Sequence, residues 1–91
     1  MAYRNEKSVV IATFDKNKRG DKIRVTKVEN EKTGDIQVDV RYMYTDDNGE
    51  LQYTQKGVRI GSELAVDIIK AMIEALGEEV KQDLIMELNK R

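Results

Sequence analysis

The sequence predicts an α+β fold: a four-stranded antiparallel sheet followed by a C-terminal helix and a further helical segment, assembled as a dimer. Three observations predict it. Apolar residues recur at every second position up to Ile60 and at nearly every fourth position afterwards. Turn-forming clusters at residues 15–20, 30–34 and 46–49 cut the first part into four segments. The last part carries more apolar residues than one sheet-facing stripe can use.

The first strand is read at residues 8–14, SVVIATF, a β-rich run that ends in a polar turn. In the second, at 22–29, Ile23 and Val25 take one face while Arg24 and Thr26 take the other. Lys27 and Val28 reverse that parity, which predicts a bulge or the end of the strand. In the third strand Ile36, Val38, Val40, Tyr42 and Tyr44 share one half-buried face, and Gln37, Asp39 and Arg41 take the opposite one. Asn48-Gly49 tolerates positive φ and predicts a type I′ hairpin turn. The fourth strand follows at 51–60, where Gly57 marks a bulge or a close backbone approach.

Beyond Ile60 the pattern is helical. Gly61-Ser62 can open a helix, and Glu63 and Asp67 suit its positive end. Leu64, Ile68, Met72 and Leu76 form an apolar stripe, widened by Ile69 and Ile73. Gly77 is placed as a C-terminal cap, followed by a second helical segment at 78–89 with Val80, Leu84, Ile85 and Leu88 apolar. One continuous helix through Gly77, at a cost of about 1 kcal/mol, is the alternative. One helix covers only part of a four-stranded sheet. The apolar surplus at Leu64, Ile68, Ile69, Met72 and Ile73 therefore predicts a homodimer about a two-fold axis. The chain divides into a flexible N-terminus at 1–7, a single domain at 8–76 and a helical extension at 77–91.

Composition narrows the function classes. With 40% apolar and 36% charged residues in 91, the chain suits one small soluble domain rather than a disordered segment. No apolar run is long enough to span a bilayer, the N-terminus MAYRNEK has no signal-peptide core, and cysteine is absent. These features predict an intracellular protein with no membrane partner. The net charge of −1 conceals an asymmetry. Residues 1–60 hold 12 Lys/Arg against 10 Asp/Glu, whereas residues 61–91 hold 4 against 7. Lys16, Lys18, Arg19, Lys22, Arg24 and Lys27 cluster in the basic part, as a phosphate footprint or as lysines guarding a sheet edge.

The chemistry that the residues can support points the same way. Without histidine or cysteine there is no zinc set, and the acidic residues of the 46–50 turn lack calcium-loop spacing, so neither metal nor cofactor is expected. No glycine-rich phosphate loop is present, and no carboxylate or lysine pair stands out as an acid–base couple. The expectation is a protein that is not an enzyme. Arg41, Tyr44, Tyr53 and Lys56 instead surround one hairpin, where rings can stack on bases and cations can neutralise phosphates. Tyr42, sharing the parity of Ile36 and Val40, is expected in the core. Arg41 and Tyr44 have opposite parity, so placing both on one ligand requires a bulge or strong twist.

Residues 22–73 resemble the C-terminal domain of the positive cofactor four family of transcriptional coactivators, with VDVR at 38–41, an aromatic at Tyr44, D-x-x-G-E at 46–50 and KGVRI at 56–60. The family has phage and bacterial members, and the short chain looks like one of these. The resemblance implies a β-β-β-β-α fold, dimerisation, and single-stranded DNA binding with little sequence preference, in a paired groove that can hold melted duplex. It makes Arg41 a backbone contact, Tyr44 the counterpart of a stacking tryptophan, and Lys56-Gly57 a basic-glycine pair. Lys22 and Arg24 match basic residues opening the second strand. The loop at 30–34, with Lys32, lacks the family's aromatic. Gln52 and Gln55 stand where basic residues are usual, which predicts weaker and less salt-sensitive binding; Tyr53 is the candidate to compensate.

Two readings of function follow. The first is a sequence-tolerant single-stranded DNA-binding homodimer acting in replication, recombination, repair or transcription, contacting DNA through Lys22, Arg24, Lys32, Arg41, Tyr44, Tyr53, Lys56 and Gly57. The second is a protein-interaction module, akin to a coactivator, that recruits replication or transcription proteins. With only seven residues before the first strand, a minimal strand-handling protein, viral ones included, is expected over an elaborate coactivator. The location is then cytoplasm or nucleoid, or the host cytoplasm for a viral protein.

Overall fold

The structure, a computed structural model, describes residues 6–90. Four strands, β1 (Glu6–Asp15), β2 (Lys22–Asn30), β3 (Ile36–Thr45) and β4 (Leu51–Gly61), form an antiparallel meander in sequence order. Two helices follow, α1 (Ser62–Leu76) and α2 (Glu78–Leu88). The fold is α+β, as the change of apolar period predicts. The expected flexible arm lies outside the described residues as far as residue 5; Glu6 and Lys7 already pair with β2.

Side chains of paired residues share a face, so the register divides the sheet cleanly. One face is polar. Its rows run Val10–Thr26–Asp39–Arg59, then Thr13–Arg24–Arg41–Gly57, then Asp15–Lys22–Met43–Tyr53. The other face is apolar and carries Val9, Phe14, Ile23, Val25, Val38, Val40, Val58 and Ile60. The bulge expected at Lys27 and Val28 is absent, because β2 and β3 stay in continuous register there. Val28 simply turns to the polar face, where it is buried, and the irregularity falls on β1 at Ile11 instead.

The register of β3 with β4 slips by two residues. Met43 pairs with Tyr53, but Arg41 pairs with Gly57, so β4 holds two residues more than β3 across this interval. A slip of two preserves the facing of every side chain and changes only what stands opposite what. Thr54 holds the excess together: its hydroxyl donates to the Tyr42 carbonyl at 2.6 Å and accepts the Lys56 amide at 3.1 Å. A Cβ on Gly57 would overlap the Val40 carbonyl oxygen and stand 2.9 Å from the Arg41 Cα, so glycine is required by close approach.

The β3–β4 turn differs from the type I′ expectation. Among the described residues only glycines have positive φ, so Asn48 is right-handed and Gly49 alone, at 81°, is left-handed. The Gly49 amide donates to the Asp46 carbonyl and the Asp46 amide to the Glu50 carbonyl, which makes a three-residue loop with a glycine bulge. The Asp46 carboxylate selects this form by accepting the Asn48 and Glu50 amides, each at 2.9 Å.

Helix α1 leaves β4 without a loop and makes few contacts with β3 and β4, while α2 follows it and contacts α1. Its N-cap is Gly61, and no side chain caps it. Gly77, at φ 96°, ends α1 by donating to the Ile73 carbonyl and separates two helices, so the chain does not continue as one. Neither helix contains a buried residue. The only fully buried apolar residues described are Val28 and Met43, both from the polar face. The apolar face is left half-uncovered, with Val9 46% and Phe14 56% exposed. The radius of gyration is 15.6 Å, against about 12 Å for a compact domain of this length.

Replacing Thr54 by valine keeps the shape and removes the hydroxyl from between the Tyr42 carbonyl and the Lys56 amide. Urea denaturation should show a loss of about 1–3 kcal/mol, the cost of leaving a half-buried carbonyl unpaired.

Candidate nucleic-acid interface

The centre of the polar face is a pair of arginines. Arg24 and Arg41 stand directly opposite each other on β2 and β3, an arrangement of like charges that costs stability unless anions lie nearby. The sheet handles them differently. Arg41 is clamped by Asp39, its Nε donating to Oδ1 at 3.1 Å and its Nη2 to Oδ2 at 2.7 Å. A third arginine, Arg59, donates to the same Asp39 carboxylate at 3.3 Å and to Glu6 at 3.2 Å. Asp39 is 6% exposed. Its hydrogen bonds from Arg41, with those from Arg59, hold its pKa below the usual carboxylate range despite burial, and they raise that of Arg41.

Arg24 is placed otherwise. Its Nε donates to the Thr13 hydroxyl at 3.0 Å and its Nη1 to the Tyr53 hydroxyl at 2.9 Å. The guanidinium carbon lies 5.5 Å from the centroid of the Tyr53 ring, and Tyr53 is 60% exposed. Among the described residues Arg24 forms no ion pair, so its charge is answered only by neutral hydroxyls and a ring face. Tyr53 and Arg41, with Thr26, Asp39, Thr54 and Arg59, line a depression of about 300 Å³. The arrangement is an exposed ring beside a cation, over a shallow polar trough.

The structure brings together five of the residues that the sequence singled out. Lys22, Arg24, Arg41, Tyr53 and Gly57 lie in adjoining rows of the polar face, with Lys22 ion-paired to Asp15. Three others lie apart. Tyr44 is on the apolar face, as its parity against Arg41 requires, and the slip of two in β4 does not change that. The Lys56 ammonium is also on that side, 5.7 Å from the Tyr42 ring. Lys32 sits in the β2–β3 turn, at the opposite end of the sheet from the β3–β4 turn. Tyr42 is half-buried rather than a core residue. The Asp21 carboxylate beside its hydroxyl raises its pKa, and the Lys16 ammonium also approaches its ring, at 5.4 Å.

Arg59 and Asp39 were missed as members of the site. Their parity was legible, but a hairpin counted outward from Gly49 without the slip sets Gly57, not Arg59, across from Asp39. Of the expected dimerisation residues, Leu64, Ile69 and Met72 are 52%, 53% and 59% exposed, while Ile68 and Ile73 are half-buried. Among the described residues no group of three or more acidic residues is placed to hold a metal ion, and no helix is long and apolar enough to cross a membrane. No family model, curated protein or solved structure matches the chain.

Three aspartates anchor this architecture with lowered pKa values: Asp39 through Arg41, Asp21 through Asn17 and Tyr42, and Asp46 through the Glu50 amide and Gln52. A lowered carboxylate contributes stability that is fully present above its unfolded value, about 3.9. That stability is lost as pH falls through the folded value. Thermal melting should therefore show little dependence on these groups from neutrality to roughly pH 5 and a progressive loss below it. Asp46→Asn should flatten that acid limb.

Proposed function

We propose that this chain is a sequence-tolerant single-stranded DNA-binding homodimer that serves replication, recombination, repair or transcription. The observation that carries this reading is the Arg24–Tyr53 pair opposite Arg41. An exposed ring offers a stacking platform for any base, each stacked base contributing about 1–3 kcal/mol. The adjacent Arg24 guanidinium, which forms no ion pair among the described residues, offers its charge to the phosphate. A shallow, open trough suits a flexible strand, whose bases are free to turn toward a surface. Gly57 supports the reading too, since its lack of a side chain keeps the row beyond Arg41 clear.

The resemblance over residues 22–73 supports the same ligand and assigns Lys22, Arg24, Arg41 and Gly57 to it. Tyr53, rather than Tyr44, takes the stacking role on this face. Tyr44 and Lys56 contact DNA in this reading only if the strand turns round the β3–β4 end of the sheet.

Dimerisation is supported by the surface. The chain exposes 7486 Å², against about 5,400 Å² that surface scaling gives for a compact monomer of its size. The excess, roughly 2,000 Å² per chain, falls in the range that obligate homodimers bury. The apolar sheet face, with Val9, Phe14 and Val58 about half exposed, and Leu64, Ile69, Met72 and Leu76 of α1 are open on that surface. A second copy that lays its helix on this sheet face covers both.

Fluorescence anisotropy with labelled oligothymidylate should show binding that weakens linearly in log–log form with salt. Arg24→Ala should weaken it about tenfold and reduce the slope by about 0.7, one phosphate on a single strand. Tyr53→Ala should cost about 1–3 kcal/mol with the slope retained. Absence of binding at low salt, or affinity indifferent to both substitutions, contradicts the reading. Sedimentation equilibrium should return twice the chain mass, and Met72→Glu should shift it toward the monomer.

A further inference from the structure

We infer that Asp39 occupies the phosphate seat of Arg41 and Arg59 from within the sheet, so that it sets the affinity and salt response of the polar face. Asp39 is a positioning residue in this inference, which rests on the nucleic-acid reading above.

A carboxylate that accepts two parallel N–H bonds from one guanidinium uses the same fork that a phosphate would use. Asp39 does this to Arg41 at 3.1 and 2.7 Å and takes a third bond from Arg59 at 3.3 Å. These three bonds use most of its acceptor capacity. Glu6 takes the remaining edge of Arg59, through Nη1. Burial strengthens the hold, because Asp39 is only 6% exposed and its contacts are poorly screened. Among the described residues Arg24 has no such partner, although it stands directly across the sheet from Arg41.

Of three guanidiniums on one face, then, one is open to an external phosphate and two are answered internally. A phosphate arriving at Arg41 must displace Asp39 or share the guanidinium with it. Displacement would leave a carboxylate buried without its partner, a costly state. The face therefore binds through fewer phosphates than its arginines suggest, and the carboxylate keeps the two occupied side chains ordered in the absence of ligand.

The test is salt-dependent anisotropy of an oligothymidylate of about 16 nucleotides, using the full chain with Asp39→Asn, Glu6→Gln and Asp47→Asn. Asp47 is an exposed turn residue and controls for the bare change of charge. If Asp39 holds the seat, Asp39→Asn tightens binding about tenfold at low salt and steepens the salt slope by about 0.7–1.4, one or two added phosphates. Asp47→Asn should change neither. Glu6→Gln frees one edge of Arg59 and should tighten binding by a smaller factor, which keeps the test decisive if Asp39→Asn melts at the assay temperature. Equal gains from Asp39→Asn and Asp47→Asn, or no gain from folded Asp39→Asn and Glu6→Gln, overturn the inference while wild-type binding stands. No binding by any variant, wild type included, defeats the nucleic-acid reading itself.

Discussion

The site depends first on how β4 lies against β3. Two surplus residues in β4, pinned by the Thr54 hydroxyl, carry Gly57 opposite Arg41 and Arg59 opposite Asp39. Without them Gln55 would stand across from Arg41, and Asp39 would face a glycine in place of its second arginine. The slip costs ladder hydrogen bonds, and Thr54 recovers one of them by bonding the carbonyl that the slip strands. Arg41 recovers another contact, donating from Nη1 to the Gln55 carbonyl within the surplus segment. The local irregularity is thus what assembles three arginines and one buried carboxylate on one face.

The second constraint is area. A sheet whose polar face buries Val28, Asp39 and Met43, while its apolar face leaves Val9 and Phe14 about half exposed, is inverted relative to an ordinary two-layer domain. The polar face closes over itself because long side chains bond across it, their stems covering what lies beneath. Helix α1 contains no buried residue, and the apolar face stays open from β1 to β4, with Val9, Phe14 and Val58 each about half exposed. Both facts describe one arrangement, in which the polar face is covered by its own side chains and the apolar face is left open.

Much of this was legible in the sequence, and what was not has physical reasons. Alternation in β3 separated Val38 and Val40 from Asp39 and Arg41, and the change of period after Ile60 placed α1 within a residue. Gly57 and Gly77 mark backbone events that local sequence alone announces: a close approach to β3 and the break between the helices. The misreadings share a cause: local pattern does not encode pairing. Val28 breaks alternation because it is buried on the polar face, which propensity cannot distinguish from a bulge. Asn-Gly favours type I′, but the Asp46 carboxylate, by holding two amides, selects a loop with one left-handed residue. A register slip of two leaves parity untouched, so nothing in the alternation announces that Arg59 joins Asp39. Tyr44 was drawn to Arg41 by proximity along the chain, against a parity that the fold upholds.

Whether the polar face is the nucleic-acid surface can be read from backbone amide chemical shifts during titration with a short single-stranded oligonucleotide. Binding there should move the amides of Thr13, Arg24, Arg41, Tyr53 and Gly57 and leave those of α1 and α2 in place. Perturbations confined to the amides of α1 and α2 would be the opposite result and would rule the polar face out.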